Sequence, residues 1–308
     1  MKNIFKISTL SVLAAVAFSS CIKEAQLTSG ATEEQVTLET LIQGIPAALV
    51  QAASTGYGLA WDFAYPAIHI ATESMTGDLV VPGNTGYDWF SQWGSNIALG
   101  SEYAVGALPW NNFYSWIMSA NSVIRRIGNT EISALDSSEK QYLGYAYAYR
   151  ALFYFDLVRM YEFKRNKYTE GEDVIGLGVP IVLPETTEAQ AKNNPRAKVS
   201  DIYDTLIFPD LEKAEELLSS FKAADKYTIS IALIYGMKAR AYLERATSLE
   251  EDNDKVKSAE YYASAATYAR KAIETSGCTP LTQEQWEDPS NGFNNANSNN
   301  AWIWGLAI

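Results

Sequence analysis

GYAYAYRALFYFDLVRMYEF, residues 144 to 163, is the stretch on which the reading of the whole chain turns. Its tyrosines and alanines alternate as in a strand, and its length is that of a membrane span. Strands, however, run about five or six residues, and Arg150, Asp156 and Arg159 are charges that a span holds only at high cost. The stretch therefore reads as a helix with apolar side chains all round. Its small residues Gly144, Ala146, Ala148 and Ala151 let neighbouring helices approach closely. Asp136, followed three residues on by Glu139, predicts the start, and the end falls near Glu162. Asp156 and Arg159, one turn apart, can pair. Arg150 needs a carboxylate or carbonyl from a neighbouring helix.

Working outward, helical spacing recurs on both sides. Upstream, Trp110, Phe113, Tyr114, Ile117, Ile124 and Ile127 share a face, with Pro109 as a first-turn residue and Gly128 as a stop. Downstream, GLGVPIVLPETT is an extended, proline-bounded segment. A third helix begins at Ser200 and carries Ile202, Leu206, Leu211, Ala214, Leu217 and Leu218 across a kink expected at Pro209. In the last pair, Ala232, Tyr235, Ala239, Tyr242, Leu243 and Ala246 line one helix. Tyr262, Ala265, Ala266, Ala269, Ala272 and Ile273 line the next, and EEDNDK separates the two. Ala239 and Tyr242, then Ala265, Ala269 and Ala272, match positions of a tetratricopeptide repeat. The fold class is all-α, a tetratricopeptide-like α-solenoid of antiparallel helices.

Nearer the start, Thr32 and Gln35 form a capping-box pattern ahead of Leu38, Leu41, Ile42, Ile45 and Leu49, with a kink at Pro46. From about Ala53 to Leu108 the periodicity disappears and Gly, Ser, Asn, Tyr and Trp dominate. This reads as a long, structured aromatic loop region of the kind that carries function.

The chain has 308 residues, 47% hydrophobic and 12% aromatic, enough for one large or two ordinary domains with a substantial core. Its net charge of −12 argues against nucleic acid as a partner. With His69 as the single histidine and Cys21 and Cys278 as the two cysteines, neither a metal site nor a Cys/His nucleophile pair can readily be assembled, and no cofactor is expected. His69, between isoleucines, reads as a packed residue. Lys2 and Lys6, an apolar run from Ile7 to Phe18 and small residues before Cys21 have the layout of a secretory signal. Phe18-Ser19-Ser20-Cys21 resembles a bacterial lipobox, so the boundaries expected are a signal at 1–20, a lipid-anchored tether at 21–31 and a helical domain at 32–308. Acylated Cys21 leaves Cys278 without an intramolecular partner. NNANSNNAWIWGLAI stops inside an apolar run, and further chain is expected beyond it.

The order of these features resembles the SusD/RagB family of outer-membrane lipoproteins. The likeness is carried by Cys21, WNNFYSWIMSANSVI, LGYAYAYRALFYFDLVRMYEF with GVPIVLPETT, KVSDIYDTLIFPDLEKAEELL and the alanine-rich pair ending in ARKAIE. It implies a lipid-anchored protein at the outer membrane, on the cell-surface side. Such a protein captures an oligo- or polysaccharide for a SusC-type TonB-dependent transporter and is not an enzyme. Sugars pack their C–H faces on flat rings and take hydrogen bonds from amides. GYDWFSQWGSN supplies Tyr87, Trp89, Gln92, Trp93 and Asn96 as candidate ligand contacts, and EQWEDPSNGFNNANS adds Trp286 beside Phe293. One or two of these tryptophans can instead seal the loop against the helices. Trp110, Trp302 and Trp304 are expected in the core. Two other readings stand beside this one: a helical-repeat lipoprotein that scaffolds protein assembly at the outer membrane, and a helical glycoside hydrolase using two carboxylates.

Overall fold

The computed structural model describes residues 35–51, 64–81, 90–167, 169, 171–292, 295–297 and 299–306. The signal, Cys21, the tether, Thr32, Tyr87, Trp89 and Phe293 lie outside them. The described residues are helices and connecting segments, with one isolated antiparallel bridge between Leu177 and Lys198. None of these helices is long and apolar enough to cross a membrane.

Helix α1, Leu38–Val50, is capped by Thr37, whose hydroxyl accepts from the Thr40 amide at 3.1 Å. Pro46 stays inside the helix, and Ile42, Ile45 and Leu49 are buried. The expected loop region contains a helix of its own, α2, Tyr65–Thr76, with Pro66 in its first turn and Gly77 beyond its end at φ 89°. The Gly/Asn/Tyr-rich surroundings mask it from a periodicity reading. A short helix α3, Phe90–Gly94, follows, and α4 runs over Ala104–Ile127. It starts ahead of the expected Pro109, which lies inside it.

Helix α5, Ser137–Tyr161, starts where the sequence places it: Asp136 accepts from the Glu139 amide, and the Glu139 side chain accepts from the Asp136 amide. From Leu143 to Val158 every residue except Tyr145 is buried. Burying each large apolar side chain among them, such as Phe153 or Leu157, contributes about 1.5–3 kcal/mol. Gly144 is needed because a β-carbon there would stand 2.8 Å from Leu218 Cγ.

The GLGVPIVLPETT segment pairs at its start with residues 197–199, through the Leu177–Lys198 bridge and the bonds from Gly178 N to Ala197 O and from Ala197 N to Val179 O, and side chains satisfy further backbone groups. Tyr114 donates to Pro180 O at 2.7 Å, Asn121 to Val182 O at 2.9 Å and Arg196 to Gly178 O at 2.5 Å, while Val182 N donates to the Tyr154 hydroxyl at 2.7 Å. The short helix α6, Glu188–Lys192, follows.

Next come α7, Val199–Ile202, a π-helical turn at Tyr203–Ile207 and α8, Phe208–Leu218. The expected kink at Pro209 takes this form: the π register, with the Phe208 amide bonded to Tyr203 O, precedes a proline that has no N–H to offer. Helices α9, Ile231–Glu251, and α10, Lys255–Ser276, form an antiparallel hairpin. The short helix α11, Gln283–Glu287, follows. Helix α1 packs on α4, α4 on α5, α5 on α8, α8 on α9 and α9 on α10. The face expected of the last pair holds at Ala232, Ala246, Ala265 and Ala272, which are buried, and is shifted elsewhere. Ala232, Ile234, Met237, Ala241, Ala246 and Leu249 are buried, whereas Leu243 and Ile273 are 52% and 63% exposed. Their half-buried tyrosines, apolar along the ring and polar at the tip, pulled the reading off the buried stripe.

The two buried charges expected to need partners have found them differently. Arg150 forms a two-pronged pair with Asp210 in α8, at 2.7 and 2.8 Å, and donates to Asn121 in α4 at 2.9 Å. Asp156 is joined to Arg159 only at 3.8 Å, and its close partner is the hydroxyl of Tyr65 in α2, at 2.8 Å.

Candidate functional site

The six candidate ligand contacts divide three ways. Tyr87 and Trp89 lie outside the described residues, as does the side chain of Gln92. Trp93 is a correction: at 2% exposure it is among the largest fully buried side chains, edge-on to Phe90 with ring centroids 5.1 Å apart. Helix α3 packs on α2, so Trp93 is the residue that seals the loop, and no sugar face can stack on a ring enclosed in this way. Asn96 and Trp286 are exposed.

Asn96 terminates the turn after α3, donating its amide to Trp93 O at 2.8 Å, with φ at 55°. Asparagine tolerates that left-handed conformation better than most residues. Trp286, 58% exposed, is set on α11 by a capping box between Thr282 and Gln285. The loop after it is shaped by Asp288, whose carboxylate accepts from the amides of Ser290 and Asn291 at 2.8 and 3.0 Å. Those bonds hold the Asp288 carboxyl below its ordinary pKa. Asn299 donates to Gly292 O and Asn295 O, so the described residues that follow this aromatic are amide-rich and hydrogen-bonded to one another. Of the tryptophans expected in the core, Trp110 and Trp304 pack partly buried against it, with Trp304 Nε1 donating to Tyr227 O at 3.2 Å. Trp302 is half-buried as well.

A second feature had no counterpart in the sequence reading. Beneath α2, where α2, the start of α4 and the end of α5 meet, lies a cavity of about 390 Å3. Ile68, Met75, Leu99, Val105 and Met160 form apolar walls, with His69, Asp156 and Arg159 as the ionisable groups. Tyr161, whose hydroxyl donates to Gly106 O at 2.8 Å, closes one side, and burial pushes its pKa up to about 12. Burial raises the Asp156 carboxyl, against the lowering influence of His69 and of the hydrogen bond from Tyr65. It lowers His69, against the pull of Asp156, so the imidazole is neutral at pH 7. His69 is thus packed as expected, with its ring edge-on to Tyr65 at 4.5 Å, and it also faces the cavity. The signal available in the sequence was Asp156 itself, a carboxylate inside an apolar run. Among the described residues no group of His, Cys, Asp and Glu side chains is placed to hold a metal ion.

Residues 33–243 match the SusD-like family described as starch-binding, associating with the outer membrane, which is more than half of the chain. A SusD-like protein, P38, from Formosa agariphila is 32% identical over 149 residues, covering 48% of this chain and 25% of that protein. Among solved structures, a SusD-like carbohydrate-binding protein from Bacteroides vulgatus superposes with a TM-score of 0.66 at 23% identity, over 87% of this chain and 49% of that one. A SusD superfamily protein from Parabacteroides distasonis gives 0.55, also at 23% identity, over 80% and 47%. The chain therefore spans about half the length of these solved relatives, and their likeness establishes the fold. With the family match covering α1 to most of α9, the chain belongs to the SusD-like family.

Proposed function

We propose that the protein binds an oligo- or polysaccharide at the outer membrane without cleaving it, and passes it to a SusC-type TonB-dependent transporter. Lipid on Cys21, at the head of a tether running to residue 31, is the anchor in this reading, and the helical domain from residue 32 onward carries the binding loops. The observation that supports it most strongly is the SusD-like match over residues 33–243. The exposed Trp286, followed by an amide-rich sequence, has the chemistry that a sugar face requires.

The test is affinity electrophoresis of the full chain in gels containing starch and a panel of other polysaccharides. Retention by the wild-type chain is expected, with loss in the Trp89→Ala, Trp286→Ala double variant while the helical circular dichroism persists. Unchanged retention in that variant would sink the site, and release of reducing ends from any retained glycan would sink the non-catalytic reading. Trp93 is left intact because truncating a buried aromatic costs about 3–5 kcal/mol and would confound binding with unfolding. Intact mass of membrane-extracted protein should show added acyl mass that Cys21→Ser removes.

A further inference from the structure

The cavity beneath α2 is not used by the exposed aromatics. Its volume of about 390 Å3 falls within the roughly 300–1,000 Å3 of small-molecule sites. Ile68, Met75, Leu99, Val105 and Met160 offer walls on which C–H groups pack. Asp156, 4% exposed, has Oδ2 engaged by Tyr65, while its buried Oδ1 has no hydrogen-bond donor among the described residues. A buried carboxylate oxygen without a donor is costly, so a donor that reaches it is strongly favoured. Arg159 stands 3.8 Å from that oxygen, beyond hydrogen-bond distance, and is 42% exposed. Its guanidinium also lies 3.7 Å from Glu244 and over the ring of Phe155, at the edge of the cavity where it can donate to a bound ligand. Apolar walls beside a single carboxyl oxygen that lacks a donor suit a ligand that offers both C–H faces and a hydroxyl.

We propose, resting on the carbohydrate-binding reading above, that this cavity is a second saccharide subsite. It takes a mono- or disaccharide whose hydroxyl donates to Asp156 Oδ1 and whose C–H face packs on the apolar walls. The methionines provide the test. Met75 and Met160 line the cavity, whereas Met118 lies on the surface and Met237 is buried and lines a separate, much smaller cavity with Ala151 and Leu211.

The full chain, labelled with 13C at its methionine methyls, is titrated with maltose and separately with cellobiose. Saturable shifts at Met75 and Met160, with Met118 and Met237 unmoved, are the expected result for at least one sugar, and Asp156→Asn should weaken that binding by about tenfold or more. Still Met75 and Met160 methyls at millimolar concentrations of both sugars overturn the subsite, as does an undiminished affinity in Asp156→Asn. Polysaccharide retention on gels reads the surface site separately. If it persists while the two methyls do not move, the cavity assignment falls alone.

Discussion

Arg150 and Asp156 lie less than two turns apart on the same helix, and both are buried, yet the surrounding structure treats them in opposite ways. Arg150 meets a carboxylate placed for a two-pronged pair and the amide oxygen of Asn121, which itself donates to Val182 O. Every element involved, α4, α5, α8 and the extended segment, is pinned by that one network. Asp156 instead receives a single short hydrogen bond from Tyr65, keeps one oxygen without a donor and borders a cavity. A fully satisfied buried charge holds a scaffold together. A half-satisfied one keeps part of its desolvation cost unmet.

The sharpest way to break the comparison is to remove the partner of the satisfied charge. Asp210→Ala leaves the guanidinium of Arg150 buried without its carboxylate, and the expected loss is about 3–5 kcal/mol in urea denaturation. Replacing both partners, Arg150→Met with Asp210→Leu, should recover most of it, because the cost lies in the orphaned charge rather than in the absence of a bond. A loss under about 1 kcal/mol in Asp210→Ala would show that water reaches Arg150 and that the contrast with Asp156 is not real.

How much of this contrast could be read from residues alone follows the same division. The capping box at Asp136, the end near Glu162 and the need of Arg150 for a neighbouring acid were legible, because each is a local rule about backbone groups or charge. Which acid it would be was not, since Asp210 is distant in sequence and the helix order alone does not fix the register of α8 on α5. Helix α2 was hidden by its glycine- and asparagine-rich surroundings, although Pro66 in its first turn and Gly77 after its last are start and stop signals. The candidate aromatic site was legible as a composition and not as an orientation: Trp89 and Trp93 stand four apart, and nothing local says that Trp93 turns into the core.

The Asp156 end can be sharpened with a smaller change. Tyr65→Phe removes the hydroxyl at 2.8 Å and leaves both carboxylate oxygens without a hydrogen-bond donor. About 1–3 kcal/mol of stability should be lost at pH 7. The loss should shrink as pH falls, because protonation spares a carboxylate that burial already holds above its ordinary pKa. Thermal melts across acid and neutral pH check both statements, and a loss that grows with acidity would mean that Asp156 is solvated from the cavity side.

The smallest expected effect concerns His69, the chain's one histidine, which faces Asp156 with Arg159, Arg240 and Glu73 also within electrostatic reach. Burial lowers its pKa below the ordinary 6.5, so the folded chain keeps the imidazole neutral over a range in which the unfolded chain has begun to protonate it. The stability this contributes is fully present above pH 6.5 and is lost as pH falls through that window toward the folded-state value. Asp156 and Glu162, whose carboxyls burial raises, act in the opposite direction, so the wild-type profile alone cannot isolate the histidine. His69→Phe keeps a ring against Tyr65 and has nothing to titrate. The difference between wild-type and variant stability, followed from about pH 8 to about pH 5, should favour the variant increasingly as the solution is acidified. If a saccharide occupies the cavity, that difference should widen further at the acid end when the sugar is present, since a ligand packed against the imidazole opposes its protonation in the folded chain and lowers its folded-state pKa again. A flat difference curve would place His69 in contact with solvent and remove it from the cavity's lining.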